Sequence, residues 1–238
     1  MNYLITGGHS GMGLELTKLL LSKGHTVGLI VRNAARKADT QHLFPYTHKV
    51  EIFVADLARR DQITAVAEQI AASWGQLDGL FNNAGVLLDQ LYFSDYGNEL
   101  QLEVNGISPY LLTQALLPLL EKGKQPIVVN TATGGLHTKP AVNNTAFKKP
   151  KKFIKLLGSY IDSNPGAIKT KMTAGSGMPF WLKPIRNLFF KSPASGAHNL
   201  YQAAFDAKYQ KSGILISEGK IRPMKYTLSE AEINQLLA

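Results

Sequence analysis

Residues 6–13 read Thr-Gly-Gly-His-Ser-Gly-Met-Gly, a run of small residues suited to holding an anion. They follow the apolar Tyr3-Leu4-Ile5 and open a helical pattern with Leu16, Leu19 and Leu20 on one side. A helix that starts at such a turn points unpaired N–H groups and the positive end of its dipole at the loop. Glycines there let a pyrophosphate approach the backbone. Gly7, Ser10, Gly11, Met12 and Gly13 are the candidate phosphate-binding positions. The spacing is Gly-x3-Gly-x-Gly rather than the Gly-x-Gly-x-x-Gly of the common dinucleotide motif. Taken alone, it is also compatible with an ordinary tight turn. His9 lies inside the run, either against a ligand or as a tolerated turn residue.

Three further groups suit the same ligand. Arg32 ends an apolar run about 20 residues after the turn, where an acidic residue would hold a ribose 2′-hydroxyl. A guanidinium with forked donors and a permanent charge suits a 2′-phosphate instead, which favours NADP(H) over NAD(H). Arg36 and Lys37 are placed to reinforce it, and a plain surface arginine is the alternative. Asp56 offers an acceptor for an adenine amino group and Leu57 a surface for its ring, although an aspartate there also suits a helix cap. Asn83, Ala84 and Gly85 suit backbone lying against a ribose, or a simple turn.

The elements that must position these residues alternate. Apolar runs at 27–31, 50–55, 77–81 and 127–129 read as strands after the first. Helical patterns lie between them, one with Ile63, Val66, Ile70 and Trp74 that stops at Gly75, a plausible carboxyl cap. A long one runs from about Gly97 to Leu120. Nearly all-apolar strands separated by single helices predict an α/β fold, a doubly wound parallel sheet of Rossmann type covered on both faces. Right-handed crossovers bring every strand's carboxyl end to one edge, and the candidate residues all sit there.

With 238 residues, 45% of them apolar, one domain spanning 1–238 is expected. The chain has no cysteine, which removes thiolate chemistry and fits a reducing compartment. No apolar run approaches the ~20 residues of a membrane span, and the first strand leaves no room for a leader, so a cytoplasmic protein without stable membrane insertion is expected. The net charge of +9 raises the question of nucleic acid. Much of it crowds into Lys148, Lys149, Lys151, Lys152 and Lys155, with no nucleic-acid motif alongside. A solvated loop near an anionic ligand explains it better, so no nucleic-acid partner is expected. The six histidines show no metal-ligand spacing, so no metal is expected either.

In order and in kind, these motifs resemble the short-chain dehydrogenase/reductase superfamily. The resemblance rests on Thr-Gly-x3-Gly-x-Gly, Asp56-Leu57, Asn82-Asn83-Ala84-Gly85, Asn105 in Glu-Val-Asn-Gly and Pro165-Gly166-x3-Thr170. It extends to about residue 217, where Ser212 to Ile216 looks like the family's last strand. Arg32 and the long stretch after the fifth strand look most like the retinol-dehydrogenase-like and protochlorophyllide-reductase-like branches. The resemblance implies a seven-stranded parallel sheet, NAD(P) binding, and hydride transfer between the nicotinamide and a carbonyl or alcohol. It assigns Tyr160 as acid/base, Thr133 in the place of a carbonyl-orienting serine, and Asn105 as support for a water relay. Pro165, Gly166 and Ile168 would border the nicotinamide, with Thr170 near its carboxamide or a phosphate. An apolar stretch from Met178 to Phe189 suggests a lid, hence a small hydrophobic carbonyl or alcohol substrate, or else a helix packed on the core. A catalytically degenerate NADP(H) sensor or scaffold is the alternative function.

One part of the pattern is broken. No tyrosine in the chain is followed four positions later by lysine; after Tyr160 that position is Asn164, and Pro165-Gly166 follows at once. The family's helix and strand before its Pro-Gly are therefore truncated here or missing from the sequence as read. Three explanations fit: a segment absent from the read sequence, a true deletion, or a re-routed chain with 151–157 as a substitute helix and 161–163 as a shortened strand. An unrepaired deletion would expose sheet surface at ~25 cal/mol per Å2, against a total stability of about 5–15 kcal/mol. That weighs toward an absent segment. The affected helix often builds subunit interfaces in this family, so a homo-oligomer is possible on this reading.

Overall fold

The computed structural model describes residues 1–131, 190–209, 213–217, 220–222 and 229–237. Strand β1 (Asn2–Thr6) leads to helix α1 (Gly11–Ser22), then β2 (Thr26–Val31), α2 (Ala34–Gln41), β3 (Val50–Val54), α3 (Arg60–Ser73) and β4 (Gly79–Asn82). One turn of helix, α4 (Leu100–Leu102), passes through a π-helical segment (Glu103–Ile107) into α5 (Ser108–Leu120), which precedes β5 (Ile127–Asn130). Further along come α6 (Pro193–Phe205), a 3-10 turn (Ala207–Tyr209), β6 (Leu215–Ser217), β7 (Lys220–Arg222) and α7 (Glu230–Leu237).

Strands β1 to β5 form one parallel sheet in the order β3-β2-β1-β4-β5. The order reverses between β1 and β4, and ligands of open α/β sheets bind outside the carboxyl ends at that switch point. Both faces are covered. Leu4 and Leu80 pack with Ile63, Ile70, Leu112 and Leu116 of α3 and α5. Tyr3, Ile5 and Phe81 pack with Leu16, Leu20 and Leu200 of α1 and α6. Burial on two sides is why these strands read as continuous apolar runs rather than as alternating ones. Large aromatics also cross them closely: a Cβ at Gly28 would stand 2.6 Å from the Trp74 ring, and one at Gly79 2.7 Å from the Tyr3 ring.

The sheet and its alternation are as the sequence predicts; four details differ. Helix α3 ends on Trp74, whose extended backbone (φ −121°, ψ 129°) closes it, and Gly75 is not in the left-handed region a glycine cap requires. The long helix starts at Leu100, not Gly97, because the Glu99 carboxylate accepts from the N–H of Leu102 and caps it there. That helix also contains the π segment, where an extra residue widens the turn. The expected last parallel strand is short and pairs antiparallel with β7 in a separate two-stranded sheet. The described residues thus contain five of the seven parallel strands implied by the resemblance. The proposed substitute helix (151–157) and strand (161–163) lie outside the described residues. No helix among those described is long and apolar enough to cross a membrane.

Candidate functional site

The glycine turn forms as an anion cradle should. Gly7 (φ +69°) and Gly11 (φ +54°) take left-handed backbone angles that cost a residue with a side chain on the order of 1 kcal/mol or more. Ser10 occupies the N-cap of α1 in extended conformation, and its hydroxyl makes no capping bond. The first bond of the helical ladder runs from Leu14 N–H to the Ser10 carbonyl at 3.2 Å. The N–H groups of Gly11, Met12 and Gly13 therefore lie ahead of the ladder, at the positive end of the dipole. No acidic side chain sits in that first turn to oppose an anion. Beneath it, the buried Thr17 hydroxyl lies 3.0 Å from the Gly8 carbonyl oxygen and 2.9 Å from that of Gly13. At Gly13 a side chain has no room: its Cβ would overlap the Gly7 carbonyl oxygen and stand 2.5 Å from Asn83 Nδ2.

The turn and the Asn83-Ala84 segment are one hydrogen-bonded unit. Thr6 Oγ1 accepts from the N–H groups of Asn83 and Ala84, each at 2.9 Å. The Asn83 amide donates to the Thr6 and Gly7 carbonyls at 3.1 and 3.4 Å. Those donors hold the carboxyl ends of β1 and β4 together, so a ribose would meet backbone surface there, continued by Gly85, rather than free N–H groups. Thr6 entered the sequence reading only as the first residue of the motif; its hydroxyl's part in joining β1 to β4 depends on residues 77 and 78 positions away.

Arg32 follows β2 directly and is exposed, beside the N-terminus of α2. Asn33 caps that helix, its Oδ1 accepting from Arg36 N–H at 2.9 Å. The Arg36 guanidinium pairs with Asp39 at 3.3 Å, both side chains more than half exposed, and Lys37 lines a cavity of about 600 Å3 between α2 and β3. Asp56 does not cap α3, whose N-cap is Arg59. Its Oδ1 instead accepts from Ala58 N–H at 2.9 Å, and its own N–H donates to Gln62 Oε1 at 2.8 Å, which fixes the loop. The Leu57 carbonyl accepts from the Ser108 hydroxyl, tying this loop to α5.

Asn105 sits in the π segment with both ends of its amide engaged. Oδ1 accepts from Val86 N–H at 2.8 Å and Nδ2 donates to the Val86 carbonyl at 2.9 Å. Two residues earlier, the fully buried Glu103 accepts from Arg60 Nε at 2.8 Å and Nη2 at 3.3 Å, and from Asn98 Nδ2 at 2.7 Å. Asn105 lines a cavity of about 270 Å3 together with Asn130 and Thr131 at the end of β5, and with Leu102, Ile107 and Val128. Within its wall the buried Asn82 Nδ2 donates to Asn130 Oδ1 at 2.8 Å and Thr113 Oγ1 at 3.2 Å.

Thr133, Tyr160, Pro165, Gly166, Ile168 and Thr170 lie outside the described residues, as do the lysine cluster and the 178–189 stretch. Of the described tyrosines, Tyr3 is held neutral: burial, with lesser help from Asp78 and Tyr201, pushes its phenol up to about 12. Two further cavity residues, Ile233 and Leu237 of α7, went unread in the sequence. Their apolar spacing of four after Ser229-x-x-Glu232 is a helix-start signature that marks an amphipathic helix.

Comparison with known proteins gives the same picture. A family model described as short chain dehydrogenase matches residues 2–155. Retinol dehydrogenase 11 of Mus musculus is 26% identical over 251 residues, covering 94% of this chain and 79% of that protein, in keeping with the retinol-dehydrogenase-like branch. Dehydrogenase/reductase SDR family member 12 of Homo sapiens is 31% identical over 137 residues, covering 56% of this chain and 43% of that protein. Among solved structures, the Pseudomonas aeruginosa RhlG/NADP active-site complex superposes with a TM-score of 0.68 at 23% identity, covering 92% of this chain and 95% of that one.

Proposed function

We propose, for a chain that belongs to the short-chain dehydrogenase family, an NADP(H)-dependent oxidoreductase that interconverts a hydrophobic carbonyl and its alcohol. The observation that carries the reading is the pairing of a pre-formed anion turn at α1 with an exposed arginine at the end of the neighbouring strand. The residues present fit such a cofactor. Gly7, Ser10, Gly11, Met12 and Gly13 would hold its pyrophosphate, and Arg32 its 2′-phosphate, with the N-terminus of α2 adding positive potential. The exposed Arg36–Asp39 pair is worth at most about 1 kcal/mol, so Arg36 can be recruited at little cost. Asp56 and Leu57 would border the adenine, and Asn83, Ala84 and Gly85 a ribose.

When bound, the nicotinamide supplies or accepts a hydride at the substrate's carbonyl carbon. On this reading the Tyr160 hydroxyl gives a proton to the substrate oxygen in reduction and takes it back in oxidation, and the Thr133 hydroxyl orients that oxygen. Pro165, Gly166, Ile168 and Thr170 would border the nicotinamide side. The Asn105 amide is committed to Val86. Its contribution to a water relay would therefore come from the position it fixes for the widened turn, whose extra residue takes backbone carbonyls off the regular ladder.

A second reading has its own observation: without a Tyr-x3-Lys pair, the chain would bind NADP(H) as a sensor or scaffold. Following NADPH oxidation at 340 nm (roughly the nicotinamide band) across a panel of aliphatic and aromatic carbonyls tests both. Turnover that Tyr160→Phe abolishes while NADPH still binds is expected. NADPH binding without turnover on any carbonyl would overturn the enzymatic reading in favour of the sensor.

A further inference from the structure

The 270 Å3 cavity has one wall that the family motifs do not provide. Its inner side is the π segment, α5 and the end of β5. Ile233 and Leu237 complete the lining, from a helix at the far end of the chain. Leu237 packs against the small apolar cluster of Leu102, Ile107 and Leu111. A single residue clamps this wall. Arg60 spends Nε and Nη2 on the buried Glu103 of the π segment, while its Nη1 donates to the Leu237 carbonyl at 2.7 Å. A cation at that carbonyl also meets the negative end of the α7 dipole. Tyr96 fixes the guanidinium from the side, its ring centroid 4.3 Å from Cζ, and its hydroxyl accepts from the Arg60 N–H at 3.0 Å. The forked arginine thus joins α7 to the same π segment that carries Asn105.

We propose that α7 is a wall of the substrate site, that Ile233 and Leu237 set the length of the apolar group accepted, and that Arg60 is the positioning residue that holds this wall. The assignment rests on the oxidoreductase reading above and adds the substrate class: an unbranched, medium-length apolar chain ending in the carbonyl or alcohol. At about 30 Å3 per non-hydrogen atom, 270 Å3 holds on the order of nine such atoms. Of its polar lining residues, Asn130 and Thr131 stand at the carboxyl end of β5, where the reacting end belongs, and Asn105 comes from the π segment. The apolar residues of the lining, Ile107, Val128 and Ile233 with the packed pair Leu102 and Leu237, border the chain.

The test uses the full chain with NADP present, measuring binding of 1-decanol and 1-butanol by calorimetry, and in parallel NADPH-dependent turnover of decanal and butanal. Burial of one methylene is worth about fourfold in affinity, so Ile233→Trp, which displaces one or two of them, should lower the decanol-to-butanol affinity ratio about tenfold. Ile233→Ala should raise it, which keeps the test open should the tryptophan variant fail to fold. Arg60→Met should raise KM for decanal more than for butanal, and Arg60→Lys, which keeps a donor for the Leu237 carbonyl, should restore part of that difference. A ratio that none of the variants moves, in an enzyme that turns over, would overturn the inference and leave the oxidoreductase reading standing. A ratio that moves as described in a protein without turnover would support the pocket and overturn that reading.

Discussion

Gly13→Ala isolates the geometry on which cofactor binding depends. An added Cβ would overlap the Gly7 carbonyl oxygen and stand 2.5 Å from Asn83 Nδ2. Ordinary contact begins near about 3.5 Å, so the first turn of α1 must retreat from the loop by on the order of 1 Å. The retreat stretches the Asn83 bonds to the Thr6 and Gly7 carbonyls, worth about 0.5–1.5 kcal/mol each. Overpacking adds about 1–3 kcal/mol, and the better helix propensity of alanine returns up to about 1 kcal/mol. The net cost, about 1–6 kcal/mol if both bonds are lost and nearer the low end if they only lengthen, is set against a domain stability of about 5–15 kcal/mol. Binding suffers more, since the displaced groups are the N–H donors that would face the phosphates. Urea unfolding should therefore show a modestly lower midpoint with an unchanged slope, while fluorescence titration shows NADPH affinity down at least tenfold. Gly75→Ala is the control, because no atom lies within 4 Å of its added Cβ. Parent-like NADPH affinity in Gly13→Ala, or equal losses in both variants, would refute the reasoning.

Other expectations follow from the packing around the site. Glu103→Ala leaves the half-buried Arg60 without its buried carboxylate partner and should cost about 1.5–3 kcal/mol in chemical unfolding; Arg60→Met combined with Glu103→Leu should recover much of that, and a double variant no better than the single would remove the pair from the account. Acid should weaken the fold through two groups. Burial works to raise the Asp78 carboxyl, but the N–H groups of Asn2 and Lys124, the amino terminus and Gln76 outweigh it and hold it below its ordinary 3.8. Its contribution is then complete above about 3.8 and is lost as pH falls through the lower folded value. Burial, with the amino terminus and Lys49, likewise holds the His25 imidazole below 6.5 against the opposing pull of Asp78, so its contribution fades first, as pH drops below 6.5. Asp78→Asn should flatten the acid limb below about pH 4, read by circular dichroism across pH; an unaltered limb would count against it.

The sheet, its order of motifs and the glycine turn were legible because they are local: apolar runs of strand length, helix spacing between them, small residues at the junction. What escaped was decided by partners far along the chain. Nothing in Glu103-Val104-Asn105-Gly106-Ile107 announces a widened turn; it is held by Val86 on one side and by Arg60 on the other. Arg60, beside Arg59 and Asp61, looks like surface charge until Glu103 is brought beneath it. The 215–217 run has the composition of a parallel strand, but its partner is Lys220–Arg222, exposed throughout, so no hydrophobic pattern predicted the pairing. Asp56 was readable as a cap or a ligand group; the N-cap of α3 is Arg59, and the Asp56 carboxylate instead accepts from Ala58 N–H within its own loop. The α7 helix carried its own start signal, but the surface it covers is set by tertiary contact with Leu102 and Ile107.

The central claim is that a dinucleotide rests on the turn before α1 with its extra phosphate held by Arg32. Equilibrium titration with NADPH and NADH, on the parent chain and on Arg32→Asp, measures it directly. The account predicts tighter binding of NADPH by the parent and a reversal or loss of that preference in the variant. Equal affinity for the two dinucleotides, or a preference that survives the substitution, would contradict it.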